Sequence, residues 1–321
     1  PNFVQVFDSS SKEVETKSSV PGQYKTVLPL PNYNIFIAFA DGHWLLFDYV
    51  NNNIVNEGVV KGDASKFLTL LKSPKAIDDN NIVYVNCSEF KLRCLDPFSG
   101  KSNDRWFFPA PTESGIPEGD RADDSKVSKA YANLDLEVLT GSRTVGVLER
   151  AVSEDYLITV YREGEHKQLC QVSCDGSGKI LKLRAGNKLN TFVLYRVSQA
   201  AKVNLYVLDV ENPEQGLKTV ELSPPYSCTI VNLFPWKGDS IILFGNKSDG
   251  QPLQIEYTLT DTEKEAKFTP MNCSYLGEKT ILTSVLHVDT VRDRVLLKET
   301  GSSECAINVW NTYLQVNEFA R

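Results

Sequence analysis

The chain has 321 residues, 41% of them hydrophobic and 23% charged, with a net charge of −7. That is ordinary globular composition with room for one large domain or two smaller ones, and its acidity excludes a global field that would draw in a polyanion. No apolar run is long enough to cross a bilayer as a helix: the best stretch, 33–50, is cut by Asp41, Gly42 and His43.

Residues 3–8 alternate and end in Asp8; they read as the third strand of an incomplete unit, with 13–16 as its fourth. A complete unit follows, with a first strand at 26–30, a hairpin at 34–39 and 43–48, and a weaker last strand at 54–60. The next runs from 67–71 through a hairpin at 81–87 and 91–96 to 106–108. Residues 109–129 break the pattern with Pro, Gly and acidic side chains and read as an exposed insertion. Beyond it, Val127, Ala130, Tyr131 and Leu134 have helical spacing, whereas Leu134, Leu136 and Val138 alternate like a strand; both readings stand. A third unit places its first strand at 145–148, its hairpin at 156–161 and 168–173, and its last strand at 180–183. The hairpin 191–195 and 204–209 marks a fourth unit. A fifth has strands at 229–234, 240–245 and 253–258, and a sixth at 282–286, 294–298 and 306–311. A four-strand unit recurring every roughly 36 to 55 residues has the spacing of propeller blades. The fold predicted is all-β: a single β-propeller domain over 1–321, of about seven four-stranded blades, with six as the alternative count. Closure would mix strands from the two chain ends and so remove exposed edges.

The segment LDPFSGKS at 95–102 ends like a phosphate-binding loop. The first glycine of Gly-x4-Gly-Lys-Ser is missing, because Leu95 stands there, and 103–108 is strand-like. Phosphates would therefore meet no helix N-terminus. The segment reads as a strand connection with Asp96 at its start and Gly100 at a positive φ. CDGSGK at 174–179 reads as the same turn, between third and fourth strands, in its own unit.

His43, His166 and His287 are the only histidines, and none stands at metal-ligand spacing from another ligand. No local triad marks a nucleophile. The seven cysteines are odd in number and irregular in spacing, and paired C-x2-C motifs are absent. Cys170 and Cys174 on an extended strand would lie about 13 Å apart, too far to bridge. Cys87 and Cys94 lie on two arms of one hairpin. Reduced, buried thiols in an intracellular setting are expected, with no metal and no cofactor. Asn-x-Ser sequons at Asn86, Asn246 and Asn272 are no more frequent than chance allows. Lys179, Lys182, Arg184 and Lys188 interleave with Ile180, Leu181, Leu183 and Leu189 and read as a solvated strand edge, with a small phosphate-contacting patch as the alternative; nucleic-acid contact is possible but not indicated. A chain that starts at Pro1 rather than Met reads as a piece of a longer protein or a processed form.

Hairpins that end in Asp resemble the WD-repeat and quinoprotein-like β-propellers over nearly the whole chain. Residues 91–101, KLRCLDPFSGK, are the best single match to a blade's third strand and turn. Residues 306–311, AINVWN, resemble the Trp-Asp end of a WD repeat with Asn311 in place of Asp. The Gly-His that opens such repeats is found at no unit start, which makes the pattern a divergent one. Residues 303–316 are similar to the last blade of nucleolar propeller proteins of the small-subunit processome. The resemblance implies a non-catalytic interaction scaffold: the N-terminal propeller of a larger subunit, binding other protein subunits or peptides, in a nuclear or nucleolar assembly. Candidate contact residues are Asp41, His43 and Trp44 on one loop end, with core packing the stronger role for Trp44, and Asp120, Arg121, Asp123 and Asp124 in the insertion. The alternatives are an enzyme with its site in the propeller channel and a secreted or cell-surface binding propeller.

Overall fold

Every sheet in the computed structural model is antiparallel and built from consecutive strands. The described residues are 2–7, 14–20, 24–30, 32–39, 41–62, 70–87, 91–103, 134–150, 155–165, 169–174, 181–186, 191–196, 203–222, 228–236, 240–262, 265–275, 281–289, 293–300, 305–312 and 316–320. Two units divide the chain, Pro1–Gly178 and Lys179–Arg321.

In the first unit, β1 (Asn2–Phe7) and β2 (Val14–Val20) form a two-stranded sheet. Blade 1 follows with β3 (Tyr24–Leu30), β4 (Asn34–Phe39), β5 (His43–Asp48) and β6 (Asn53–Val59). Blade 2 has β7 (Leu71–Ala76), β8 (Ile82–Asn86), β9 (Lys91–Asp96) and β10 (Lys101–Asn103). Blade 3 has β11 (Asp135–Leu139), β12 (Thr144–Arg150), β13 (Tyr156–Arg162) and β14 (Cys170–Cys174). In the second unit, blade 4 has β15 (Leu181–Ala185), β16 (Thr191–Arg196), β17 (Val203–Asp209) and β18 (Leu217–Leu222). Blade 5 has β19 (Cys228–Pro235), β20 (Ser240–Lys247), β21 (Pro252–Thr262) and β22 (Glu265–Tyr275). Blade 6 has β23 (Ile281–Asp289), β24 (Arg294–Thr300), β25 (Cys305–Asn311) and β26 (Val316–Ala320). Among the described residues the only helical turn is the short 3-10 piece Pro213–Gln215.

The fold is a β-propeller; among the described residues it has six four-stranded blades, the alternative count rather than about seven. The seventh count came from the incomplete first unit, which is indeed a strand pair, β1 with β2. Among the described residues that pair stands as its own sheet, and β23 to β26 form a complete four-stranded sheet by themselves.

The unbroken apolar runs of the second strands follow from burial on both faces. In β8, Ile82 and Tyr84 join Phe36, Trp44 and Leu46 of blade 1, while Val83 and Val85 join Leu136, Val145 and Val147 of blade 3. In β20, Ile241 and Leu243 pack with Val193 and Tyr195 of blade 4, and Ile242 and Phe244 with Val295, Leu297 and Trp310 of blade 6. Alternate side chains point to opposite faces, so a strand inside such a sheet must be apolar at every position.

The Asp that ends many third strands folds the next turn. Asp48 Oδ1 accepts from the N–H groups of Val50 and Asn51, both at 2.9 Å. Asp96 Oδ1 accepts from Phe98 N–H at 2.9 Å and Ser99 N–H at 3.2 Å. Asp209 Oδ1 accepts from Glu211 N–H at 3.0 Å. These are Asx turns, a side chain standing in for a backbone acceptor. LDPFSGKS is therefore the β9–β10 connection, with Gly100 at φ 70 and its N–H donated to Asp96 O at 2.8 Å.

Three strand assignments change. The last strand of blade 2 is β10 (Lys101–Asn103), and 106–108, expected in its place, lie outside the described residues. Blade 3 begins at β11, so 145–148 lies in its second strand and 156–173 spans its third and fourth. Leu134, Leu136 and Val138 are buried in alternation, which decides the ambiguity after the insertion in favour of a strand. CDGSGK then joins the last strand of blade 3 to the first of blade 4, so its likeness to the β9–β10 turn is one of composition; 175–180 lie outside the described residues. Likewise, β7 is LKSPKA rather than 67–71. Its β-propensity is poor, and it carries Ser73 at φ 50 and a register shift. Tertiary contacts hold it: Lys75 Nζ reaches Glu137 Oε2 of β11 at 3.2 Å.

Candidate interaction surface

The β4–β5 turn of blade 1 presents Asp41 and His43, both well exposed. Asp41 Oδ1 accepts the His43 N–H at 3.1 Å, and Asp41 Oδ2 lies 2.8 Å from His43 Nδ1. The hydrogen bond from His43 holds the Asp41 carboxyl below its ordinary range. The pair fixes the imidazole with its other nitrogen free to meet solvent or a partner. Trp44, the next residue, is 4% exposed, stacks on Phe36 with ring centroids 5.8 Å apart and belongs to the core. A Cβ on Gly58 of β6 would stand 2.6 Å from the Trp44 ring, so only glycine fits there. Asp120, Arg121, Asp123 and Asp124, with the whole insertion 109–129, lie outside the described residues.

Sequence reasoning missed a second feature of blade 1. Of the large apolar side chains exposed among the described residues, Val27, Tyr33, Val50, Ile54, Val55 and Val59 belong to this blade, and only Ile281 lies elsewhere. Tyr33 and Val50 on its turns are 62% and 61% exposed, and Val59 on β6 is 55% exposed. Tyr33 is braced edge-on against Tyr49 at 5.8 Å, with Tyr49 N–H donated to Tyr33 O at 3.2 Å. Single exposed apolar residues are normal, and several on one blade make that blade a candidate contact surface. The sequence signal was the run of β-branched residues in a last strand that has no Lys, Arg or Pro. β6 is anchored from its other side, where Asn56 Nδ2 donates to Pro97 O at 2.9 Å and to Phe98 O at 3.1 Å in blade 2.

The titratable groups elsewhere serve packing. Arg143 bonds Asp78 Oδ2 at 2.8 Å through Nη1 and Glu163 through Nε, tying the turns of blades 2 and 3. Burial pushes the thiols of Cys87 and Cys94 up to about 12 and that of Cys170 up to about 11, so they remain protonated and poorly nucleophilic at neutral pH. Cys87, Cys94, Cys170 and Cys228 are unbridged. Burial raises Glu149 to about 8. Among the described residues no three His, Cys, Asp or Glu are placed to hold a metal. His43 lies on the exposed turn, His166 is outside the described residues, and His287 falls on β23. Of the basic run, Arg184 lies over the Phe234 ring at 5.4 Å and Lys182 is exposed beside buried Leu183.

The class of protein that this fold defines is the β-propeller, and the WD-repeat resemblance holds at the level of the fold. No protein-family model matches the chain, and no curated protein matches it. Solved structures do. The β-propeller domain of Myceliophteria thermophila Cps50 (Swd1) is similar with a TM-score of 0.60 and 10% identity, over 96% of this chain and 90% of that one. A chain of the Mitotic Checkpoint Complex gives a TM-score of 0.61 at 8% identity, over 96% and 81%. KlAtg21, in its complex with the coiled-coil of AgAtg16, gives 0.57 at 12% identity, over 85% and 77%.

Proposed function

We propose that the chain is a non-catalytic protein-interaction platform. The observation that carries this reading is the concentration of exposed apolar side chains on blade 1, one of which, Val59, pairs with His43 of the fixed Asp41–His43 turn. Rigid blades hold such loops and edges in place, which lowers the entropy lost on binding. Two of the similar structures are of assemblies, a coiled-coil complex and a checkpoint complex, which supports the same reading. The insertion residues Asp120, Arg121, Asp123 and Asp124 are a second contact candidate. The channel-enzyme alternative draws no support from cysteines that burial keeps protonated.

The setting we infer is intracellular. The resemblance of 303–316 to nucleolar propeller proteins directs the first search for partners to nuclear assemblies. Two of the three sequon asparagines are buried, Asn86 and Asn246. Asn246 Nδ2 donates to Leu282 O at 2.8 Å, and its Oδ1 accepts Leu282 N–H at 2.9 Å. A glycan there would break both bonds, which disfavours the secreted reading. Among the described residues no helix is long and apolar enough to cross a membrane. Affinity purification of the full-length protein with cross-linking and mass spectrometry tests the platform reading. Specific partners that residues 1–321 also retain are expected; loss of every partner from 1–321 counts against it. Imaging of the tagged protein checks the nuclear setting.

A further inference from the structure

Among the described residues six sheets have four strands and one, β1 with β2, has two. A two-stranded sheet standing alone is marginal in water; three or more strands are needed for stability. The third strand of every blade is paired on both sides, and in blades 1, 2 and 4 it ends in Asp48, Asp96 or Asp209. β1 reads NFVQVF and is followed in sequence by Asp8, yet β2 is its one strand partner among the described residues. β2 leads into β3 as the last strand of a blade leads into the next. The pair therefore corresponds to a third and a fourth strand, and the side of β1 where a second strand would lie is open.

Blade 1 carries the matching gap. The link from Val20 to Tyr24 reaches at most about 14 Å, so the strand pair lies beside blade 1. One face of blade 1 meets blade 2, where Leu28 and Leu30 of β3 join Phe36, Leu46 and Ile82. The alternating rows form the opposite face. There Val27 pairs with Ile37 and Pro29 with Ile35, which pair in turn with Leu45 and Phe47. Ile37, Leu45 and Phe47 are buried, but Val27 is 43% exposed, Pro29 is exposed and Ile35 is half-buried. First strands of other blades carry polar residues in the partly exposed row: Asp135 and Glu137 on β11, Lys182 and Arg184 on β15, Thr229 on β19. β3 has Val and Pro there, a row that gains from cover. Neighbouring blades set their first strands side by side, β3 beside β7, β7 beside β11 and β15 beside β19. The β1–β2 sheet has no first strand to set beside β3.

We propose that the open side of β1 and the Val27–Pro29 row of β3 form one docking site, which takes a β-hairpin from a protein partner. The strands described within 1–321 are spent in their own sheets, so the hairpin comes from outside them, and the platform reading assigns it to a partner. One strand of the hairpin pairs antiparallel with β1, and the other lies beside β3. Main-chain hydrogen bonds to β1 supply affinity, and alternate side chains supply the choice of partner. Val27, Pro29 and Ile35 carry no charge, so the hairpin is apolar on the face it turns to them; a Lys or Asp there would be buried unpaired. This site rests on the platform reading and specifies one of its contacts.

The probe is a synthetic hairpin with an Asn-Gly turn, Val on one face and Lys and Thr on the other, added to the whole 321-residue chain. Amide hydrogen exchange should slow at 2–7 on binding. N-methylation of the amides on its pairing strand, or Val27→Lys in the protein, should each weaken binding tenfold or more. Val27→Thr, close to valine in shape, guards against misfolding and should weaken it by a smaller factor. Val50→Lys, at an exposed turn residue of the same blade, should leave binding unchanged. Unchanged exchange at 2–7, binding indifferent to N-methylation, or equal losses from Val27→Lys and Val50→Lys overturn the proposal. The source is read by a photo-cross-linker at Val27 in the full-length protein, which should join strand residues of a partner. Cross-links confined to the protein's own polypeptide, or to a second copy of it, overturn the proposal as well. The two levels separate cleanly: Val27 variants that keep every cellular partner sink this site alone, whereas wild-type chain with no partner sinks the platform reading.

Discussion

Blades 1 and 5 share one strand order and opposite surfaces. In blade 5, β20 is buried from Ile241 to Asn246, and blade 6 is clasped to it by polar groups that are themselves buried. Asn246 takes both backbone groups of Leu282, and Trp310 Nε1 donates to Gln254 Oε1 at 2.7 Å. Blade 1 has an equally dry centre at Phe36, Ile37 and Leu46, yet its outer strand and turns leave valines, Ile54 and Tyr33 in solvent. Its polar tie to blade 2, through Asn56, is only half buried. The difference is one of cover: a buried polar clasp joins blades 5 and 6, whereas the outer strand and turns of blade 1 leave apolar side chains exposed.

Removing the clasp should give the largest effect. Asn246→Ala leaves the Leu282 N–H and C=O buried without partners, and a loss of about 3 kcal/mol in denaturant unfolding is expected. A loss below that of Asn56→Ala would break the contrast between the two blades. Gly58→Ala drives a methyl into the Trp44 ring and should cost about 1–3 kcal/mol, seen as a lower unfolding midpoint with weakened Trp fluorescence transfer from the native state. Gly164, with open space where a Cβ would lie, is the control, because only its φ of 80 is strained.

Glu149 on β12 gives a pH-dependent test. Its Oε1 is buried with no hydrogen-bond partner among the described residues, and burial raises its pKa to about 8. The folded state therefore holds a proton that the unfolded state releases above its ordinary carboxyl range. Stability should fall as pH rises from about 4.5 to about 8 and then level off. Glu149→Gln should flatten that slope and stabilise the chain at pH 8 by about 1–3 kcal/mol, measured by urea unfolding at pH 5 and pH 8. An unchanged slope would mean that the carboxyl is solvated in solution.

The smaller effects belong to blade 1. Asn56→Ala should cost about 1 kcal/mol or less, since water can reach the Pro97 and Phe98 carbonyls it leaves. Val59→Lys, at a side chain 55% exposed, should change unfolding by under about 0.5 kcal/mol. A large destabilisation by Val59→Lys would show that this side chain is covered after all and would erase the difference between the blades.

Much of this was determined by local sequence. Strand 2 of each blade must be apolar throughout when both faces are buried, so 34–39, 81–87 and 240–245 declared themselves. Asp48, Asp96 and Asp209 announced the turns they cap, and the missing glycine at Leu95 removed the nucleotide site before any coordinate did. Tertiary structure decided what local pattern could not. LKSPKA has no strand signature, and β7 exists because Lys75 and its neighbours meet blade 3. The phase of blade 3 was read one strand late because 135–139 is short and follows an irregular stretch, and the six-blade count depended on β26 completing its own sheet. The Trp44 side chain and Val59 are both apolar residues of short strands; only packing shows that one lies under Gly58 and the other in water. Hydrophobicity states what a residue would gain from burial, whereas which residues are left uncovered depends on where a sheet ends.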